Sequence, residues 1–179
     1  VRYATHLLNA MRGLDPRAPG IAVGLLLDPR VTIGLIADGH HLAPATLALA
    51  WSSAGPSRSS LVTDAIAALG AAPGRHRLGE MEVELSADGS VRLPDGRLAG
   101  AATSLDAGLR RLWEATGCTR AEAVASVTAV PAGLLGLPDR GHLAPGARGD
   151  AVLLDDDLRV VATVVSGQPA HGAEALGWD

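Results

Sequence analysis

The chain has 179 residues, of which 47% are hydrophobic, and a formal net charge of −4. That length fits one domain with at most a small appendage, and an acidic balance without a basic stripe argues against a nucleic-acid partner. The apolar runs are short or interrupted, which argues against a membrane span, and the single cysteine, Cys118, excludes an internal disulfide and suits a cytoplasmic location.

The first thirty residues predict little regular structure. Residues 1–12 predict the end of a strand that runs into a loop, and the Gly- and Pro-rich stretch at 13–20 continues that loop. The apolar segment 21–28 fits either a helix or a buried strand, since composition does not separate the two.

Residues 31–66 predict a strand, a helix and a second strand in succession. The β-branched apolar run at 31–39 is typical of a strand buried on both faces of a parallel sheet. Segment 44–55 has a helical composition with a proline in its first turn, and 59–66 predicts a second buried strand that ends at Asp64. This order is a βαβ unit, so the predicted fold class is α/β.

Two later segments have strand-like patterns. Residues 79–100 alternate apolar and polar side chains and contain two Asp-Gly pairs, which predicts small hairpins. Residues 141–171 predict turns and short strands, as in a small β-rich appendage.

Two helices are predicted between these β-rich segments. Residues 104–117 begin with a serine and end with a glycine, which are common helix-capping residues. Residues 119–136 predict a second helix, which starts with a capping box formed by Thr119 and Glu122 and which Pro131 breaks or restarts.

Polar side chains follow three of the apolar segments near the start of the chain. They are His6, the group Asp38, His40 and His41, and Asp64. In a parallel α/β barrel the carboxyl ends of the strands meet on the face that carries catalytic groups. Two imidazoles and a carboxylate facing one point can bind a metal ion and activate water. The spacing alone specifies no closed metal motif, and a packed histidine or a helix-capping aspartate remains the alternative at each position.

Several segments, in order along the chain, resemble one protein family. They are ATHLLNAM (4–11), RAPG (17–20), IADGHH (36–41), LVTDAI (61–66), GRLAG (96–100), SVTAVPAGLLGL (126–137) and GHLAPGARGDAVLLD (141–155). Together they resemble the second half of the N-acetylglucosamine-6-phosphate deacetylases, a family of the amidohydrolase superfamily. The first motifs are specific as a set, whereas the last two are patterns of the whole superfamily.

The resemblance implies the C-terminal part of a (β/α)8 metal-dependent hydrolase barrel with part of a small β-sandwich. Residues 1–140 are then a partial barrel with a hairpin insertion at about 79–100, and 141–179 are a small β-rich segment. A complete barrel takes about 250 residues, so this chain has room for roughly three barrel strands and the tail.

The resemblance also implies a catalytic centre. His6 matches a ligand of the catalytic divalent metal, with zinc expected first and iron, cobalt or manganese as alternatives. His41 matches a histidine that contacts the substrate. Asp64 matches the catalytic aspartate, which takes a proton from the hydrolytic water as general base and returns it to the leaving amine.

Three further positions match the family's sugar-phosphate site. Asn9 and Ala10 lie in the stretch that contacts the sugar phosphate, and Arg17 matches an arginine that reaches the phosphate across a dimer interface. A planar guanidinium suits phosphate because it binds two oxygens at once. We therefore expect a small-molecule sugar phosphate as substrate and a homodimer. Without the resemblance, a solvated loop arginine is the simpler interpretation of Arg17.

This sequence departs from the family in two ways. His40 stands where an apolar residue is usual, and Ala101 and Ala102 stand where a hydroxyl residue is more common. The family's other metal ligands, a glutamate and an earlier histidine, together with a histidine of the substrate pocket, lie upstream of the part that matches. We therefore expect this chain to be inactive by itself.

The activity implied is deacetylation of N-acetylglucosamine 6-phosphate to glucosamine 6-phosphate and acetate. Two alternatives remain open. One is a related amidohydrolase that acts on another amide or a cyclic ureide, and the other is a truncated domain without catalytic function.

Overall fold

A computed structural model of the chain describes residues 1–177, so the last two residues of the predicted segment 141–179 lie outside the described part. Its first 62 residues alternate strands and helices: β1 (Tyr3–Ala4), α1 (Gly20–Leu27), β2 (Thr32–Ile36), α2 (Pro44–Ala54) and β3 (Ser59–Val62). The strands are parallel, in the order β1-β2-β3. The predicted βαβ unit is confirmed, and segment 21–28 is a helix.

The centre of this parallel sheet is β2, as its continuous apolar sequence predicts. Ile33 and Leu35 are fully buried. Gly34, between them, faces Tyr3 so closely that a Cβ atom would lie 2.1 Å from the tyrosine hydroxyl. The absence of a side chain at Gly34 therefore lets the Tyr3 ring cross β2.

The hairpin segment forms an antiparallel sheet of four strands: β4 (Gly74–Leu78), β5 (Met81–Leu85), β6 (Ser90–Arg92) and β7 (Leu98–Ala101). Their order across the sheet is β4-β5-β6-β7. The sheet starts earlier than the predicted hairpins. Strand β4 was missed because its sequence, GRHRL, has a single large apolar side chain and pairs with β5 through its backbone.

Three helices follow: α3 (Leu105–Thr116), α4 (Arg120–Ala125) and α5 (Ala129–Leu135). The capping box of Thr119 and Glu122 is present at the start of α4. The helix predicted over 119–136 is interrupted, as Pro131 predicts, but the break lies earlier than the proline: α4 ends at Ala125 and α5 begins at Ala129. Pro131 is the third residue of α5, in the first turn of the helix, where a missing N–H breaks no intrahelical hydrogen bond.

The tail forms a second antiparallel sheet, in the order β10-β9-β8. Its strands are β8 (Ala151–Leu154), β9 (Val160–Val165) and β10 (Gln168–His171). No helix among residues 1–177 has the length and apolar character needed to cross a membrane.

Candidate functional site

Three polar side chains lie at equivalent positions of the parallel sheet. His6, Asp38 and Asp64 each lie two residues beyond the last residue of β1, β2 and β3, respectively. Because neighbouring parallel strands end at the same edge, this spacing brings the three residues to one edge of the sheet.

The backbone at two of these positions is unusual. His6 has a φ of 32° and Asp64 a φ of 54°, although neither is a glycine. A side chain in this region carries a steric cost, and such residues cluster at functional sites. The chain thus turns sharply at His6, after β1, and at Asp64, after β3.

His41 connects two carboxylates. Its Nδ1 lies 2.6 Å from Oδ2 of Asp38, and its Nε2 lies 3.7 Å from Oδ2 of Asp64. The side chains of His41 and Asp38 are 5% and 2% exposed, whereas that of Asp64 is 45% exposed. The imidazole is therefore held on the buried side by Asp38 and faces a solvent-accessible carboxylate on the other.

The Asp38 carboxylate accepts two backbone hydrogen bonds and also contacts the His41 ring. Its Oδ1 accepts from the backbone N–H groups of His40 and His41, both at 2.8 Å, and its Oδ2 contacts the His41 ring. Burial raises the pKa of the Asp38 carboxyl, but the hydrogen bonds together lower this pKa by more than burial raises it. The net pKa therefore lies below the usual value. Asp38 is therefore ionised at neutral pH.

Asp64 is held through its backbone by the last strand of the hairpin sheet. Its carbonyl accepts from the N–H of Ala101 at 2.8 Å, and the N–H of Ile66 donates to the carbonyl of Ala101 at 3.0 Å. A Cβ atom on Gly100 would lie 2.9 Å from the Asp64 carbonyl oxygen. The glycine of the GRLAG motif therefore lets β7 approach the strand end that carries Asp64.

One ring nitrogen of His6 has no hydrogen-bond partner within residues 1–177. Its Nδ1 is buried and has no hydrogen bond to any residue of the described chain. A buried nitrogen left in this way is costly unless something else binds it, and imidazole is a common metal ligand. Among residues 1–177 there is no group of three or more His, Cys, Asp or Glu that could hold a metal ion. His6 thus fits one ligand of a metal site, and the described residues do not complete it.

Asn9 and Ala10 lie in a tight turn after β1. The turn is anchored by the N–H of Leu7, which donates to the Gly34 carbonyl at 2.8 Å, and by the N–H of Asn9, which donates to the His6 carbonyl at 2.9 Å. Ala10 has a φ of 53° and is exposed, and no hydrogen bond among residues 1–177 uses its N–H. This N–H is therefore available to an anion.

Arg17 lies in the loop between β1 and α1. It is exposed, in a loop whose N–H groups at Arg17 and Ala18 both donate to Oδ1 of Asp15 at 2.8 Å. No ion pair or hydrogen bond within residues 1–177 joins its guanidinium to His6, His41 or Asp64. The structure therefore brings His41 and Asp64 together and places His6 at the same edge of the sheet, whereas no such contact joins Arg17 to them.

The sequence pattern does not identify two features of the site as functional: Asp38 stands within a polar group, and Gly100 stands within a matching motif. The signal for Asp38 was present, since it stands at the same distance from its strand as His6 and Asp64 do. The structure also shows what His40 contacts: its Nε2 lies 3.0 Å from the carbonyl oxygen of Asp88 in the β5–β6 turn.

Comparison with known proteins gives a consistent result. The model of the Amidohydrolase family matches residues 80–171. A human N-acetylglucosamine-6-phosphate deacetylase is 43% identical over 182 residues, covering 97% of this chain and 44% of the relative. A putative N-acetylgalactosamine-6-phosphate deacetylase from Escherichia coli K12 is 42% identical over 166 residues, covering 92% of this chain and 98% of the relative.

Solved structures agree with these relatives. The N-acetylglucosamine-6-phosphate deacetylase of Thermotoga maritima superposes with a TM-score of 0.90 at 37% identity, covering 94% of this chain and 46% of that one. A mutant of the Mycobacterium smegmatis enzyme, in complex with N-acetyl-D-glucosamine 6-phosphate, gives 0.88 at 40% identity, covering 94% and 45%.

The chain therefore spans less than half the length of the human, Thermotoga and Mycobacterium proteins that it matches. The match to the family model covers more than half of this chain, and the short Escherichia coli relative is covered almost completely. The resemblance to N-acetylglucosamine-6-phosphate deacetylases is confirmed, and this chain belongs to the amidohydrolase family.

Proposed function

We propose that this chain supplies one half of a deacetylase active site that hydrolyses N-acetylglucosamine 6-phosphate to glucosamine 6-phosphate and acetate. The observation that carries the proposal is the placement of His6, His41 and Asp64 at one edge of the parallel sheet, with a buried imidazole nitrogen of His6 left free. The relatives at about 40% identity support the reaction and the substrate.

The proposed architecture follows the same relatives. Residues 1–140 form part of a (β/α)8 barrel, interrupted by the hairpin insertion at about 79–100, and 141–179 form part of a β-sandwich. Three parallel strands are too few to close a barrel of eight, so other strands must complete it.

His6 is the residue of this chain that would hold the divalent metal, with zinc expected first. When bound, such an ion lowers the pKa of a water molecule and polarises the amide carbonyl. Catalytic zinc sites use about three protein ligands, so the remaining ligands must come from outside residues 1–177.

Asp64 is proposed as the general base and acid. Its carboxylate is 45% exposed and lies beside His41, so it can take a proton from the attacking water and deliver it to the amine nitrogen as the C–N bond breaks. His41 is proposed to contact the substrate through Nε2, the nitrogen that faces Asp64.

The phosphate is assigned to the turn after β1 and to the loop that follows. The free N–H of Ala10 and the side chain of Asn9 lie next to His6 in sequence, which suits a ligand that reaches from the metal to this turn. Arg17 is proposed to bind the phosphate of the neighbouring subunit in a homodimer, which fits a guanidinium that is exposed and bonded to none of His6, His41 and Asp64. The single cysteine supports the cytoplasm as the location.

The test measures acetate release by the full natural protein that contains these 179 residues. Asp64→Asn should lower kcat by at least about 100-fold while sugar-phosphate binding persists, because general acid–base catalysis contributes about 10²–10⁴-fold. Asp156→Asn removes a carboxylate that is fully exposed and should leave the rate unchanged. Full turnover in Asp64→Asn would disprove its role.

The phosphate assignment has its own test. Unphosphorylated N-acetylglucosamine should be a much poorer substrate, and Arg17→Met should raise KM only for the phosphorylated form. Equal rates with phosphorylated and unphosphorylated N-acetylglucosamine would favour the alternative of a related amidohydrolase with another amide or cyclic ureide substrate.

A second candidate substrate is N-acetylgalactosamine 6-phosphate. The observation that favours it is the 42% identity to two Escherichia coli proteins named for that sugar, which lies within the range of 39% to 43% found for the glucosamine enzymes. Both sugars should be tested with the same preparation, and the ratio of their kcat/KM values decides between them.

A further inference from the structure

We propose that Asp38 is a positioning residue of this site: it holds the His41 imidazole in the tautomer with its proton on Nδ1, so that Nε2 carries the free lone pair and faces Asp64. The catalytic consequence rests on the proposed function, but the assignment of the proton does not.

The hydrogen-bond inventory of Asp38 leads to this assignment. An ionised carboxylate has no proton to donate, so it can only accept. Its Oδ2 lies 2.6 Å from Nδ1 of His41, a distance at which two lone pairs would repel each other strongly. Nδ1 must therefore carry a proton, and in neutral imidazole the other nitrogen then has none.

Burial makes this arrangement persistent. The Asp38 and His41 side chains are almost completely excluded from solvent, so water does not compete for either atom. The other oxygen of Asp38 is occupied by the backbone N–H groups of His40 and His41. The Asp38 carboxylate thus fixes both the loop that carries His41 and the His41 ring. Because both of its oxygens are bonded, the carboxylate cannot rotate without breaking these contacts.

The consequence is a defined chemistry at Nε2. In the opposite tautomer a proton would always sit on Nε2, and His41 could act toward Asp64 and the substrate only as a donor. With Asp38 in place, Nε2 accepts a proton when neutral and donates one when protonated. Asp64, whose Oδ2 is 3.7 Å away, is the group with which it can share that proton.

The test reads the tautomer directly by ¹⁵N NMR of the histidine side chains in the full natural protein that contains these 179 residues, at a pH where His41 is neutral. The signals of His41 are those that disappear in His41→Gln. In the unaltered chain we expect the proton on Nδ1. In Asp38→Asn the amide oxygen cannot serve the backbone N–H groups and the ring together, so its NH₂ should face Nδ1 and move the proton to Nε2.

Asp155→Asn is the matched control. Asp155 also accepts two backbone N–H groups through one oxygen, from Asp157 and Arg159, but it is exposed and lies in the β8–β9 turn. It should leave the His41 tautomer unchanged. A proton on Nε2 in the unaltered chain would overturn the proposal, and so would an unchanged tautomer in a folded Asp38→Asn. The measurement on the unaltered chain needs no variant, so a poorly folded variant does not protect the proposal.

A second readout addresses catalysis in the full natural protein. Asp38→Asn should lower kcat by roughly 10- to 100-fold, as is typical for a residue that orients a site ligand, with little change in KM. An unchanged kcat would show that the tautomer has no catalytic role. If the unaltered protein releases no acetate at all, the proposed function fails, while the NMR result still decides the placement of the proton.

Discussion

Gly100 packs against the backbone of Asp64, and this contact joins the hairpin sheet to the candidate catalytic carboxylate. An added Cβ at Gly100 would lie 2.6 Å from Cγ2 of Ile66 and 2.9 Å from the Asp64 carbonyl oxygen. The insertion is therefore a support for the site, because its last strand sets the position of Asp64 through the N–H of Ala101.

Gly100→Ala should damage activity more than stability alone explains. Its φ of 90° already costs an L-residue about 1–2 kcal/mol, and the clash forces Asp64 to move. A displacement near 1 Å is enough for a loss of about 100-fold in rate. Acetate release and the free energy of unfolding would be measured together in the full natural protein.

Gly96→Ala is the matched control for that prediction. Gly96 lies in the same hairpin with a φ of 86°, but an added Cβ there meets no atom within 4 Å. It should lower the free energy of unfolding by about the same conformational cost and leave kcat unchanged. If both variants lose activity equally, the contact between Gly100 and Asp64 is not what positions the carboxylate.

His40 should tie the β5–β6 turn to the loop that carries His41. Replacing it with Leu removes the donor to the Asp88 carbonyl, worth about 1 kcal/mol, and should speed hydrogen exchange at the Gly89 amide by about fivefold. His40→Gln retains an N–H and should preserve the slow exchange. The Gly96 amide, in the next turn, serves as an internal reference and should not change.

The contact of His40 with Asp88 also bears on why a histidine is tolerated in this position. If His40→Leu leaves exchange in the turn unchanged, the hydrogen bond has no energetic weight in solution. His40 would then be only a substitution that the fold accepts.

His6→Gln should reduce the divalent metal content of the full natural protein. Loss of a direct ligand should lower the affinity for the metal by more than about 100-fold, since even changes to residues that only orient the ligands lower it by about 10–100-fold. Elemental analysis after dialysis gives the stoichiometry. His142→Gln is the control, because that histidine is exposed in the tail segment. An unchanged metal content in His6→Gln would remove His6 from the ligand set.

Arg58→Met should destabilise the fold. The guanidinium donates to the carbonyls of Leu26, Asp28 and Val31 at 2.8–2.9 Å, joining the end of α1 to the start of β2. Loss of these charged donors should cost roughly 3 kcal/mol in the free energy of unfolding, measured by urea denaturation. Arg97→Met removes an exposed arginine that pairs with Asp95 and should leave the unfolding midpoint nearly unchanged. Equal effects of the two variants would contradict the role of Arg58.

Local sequence was enough to predict most of the secondary structure. The buried run of β2, the proline at the start of α2 and the capping box of α4 are short-range signals, and each appears as predicted. Strand β4 and the position of the break between α4 and α5 do not follow from such signals, although Pro131 does predict that a break occurs. The first depends on pairing with β5, and the second on where the chain turns before Pro131.

The sequence by itself determined which residues are candidates for the site, because His6, His41 and Asp64 stand in short contiguous motifs that resemble those of one family. Only the tertiary structure decided how they work together. The contact of Asp38 with the His41 ring, and the packing of Gly100 on Asp64, join segments or atoms whose distances depend on side-chain orientation and sheet pairing. The distance from Asp38 to the His41 ring and the distance from Gly100 to Asp64 both arise from tertiary packing, and the pattern of residues along the chain does not specify either one.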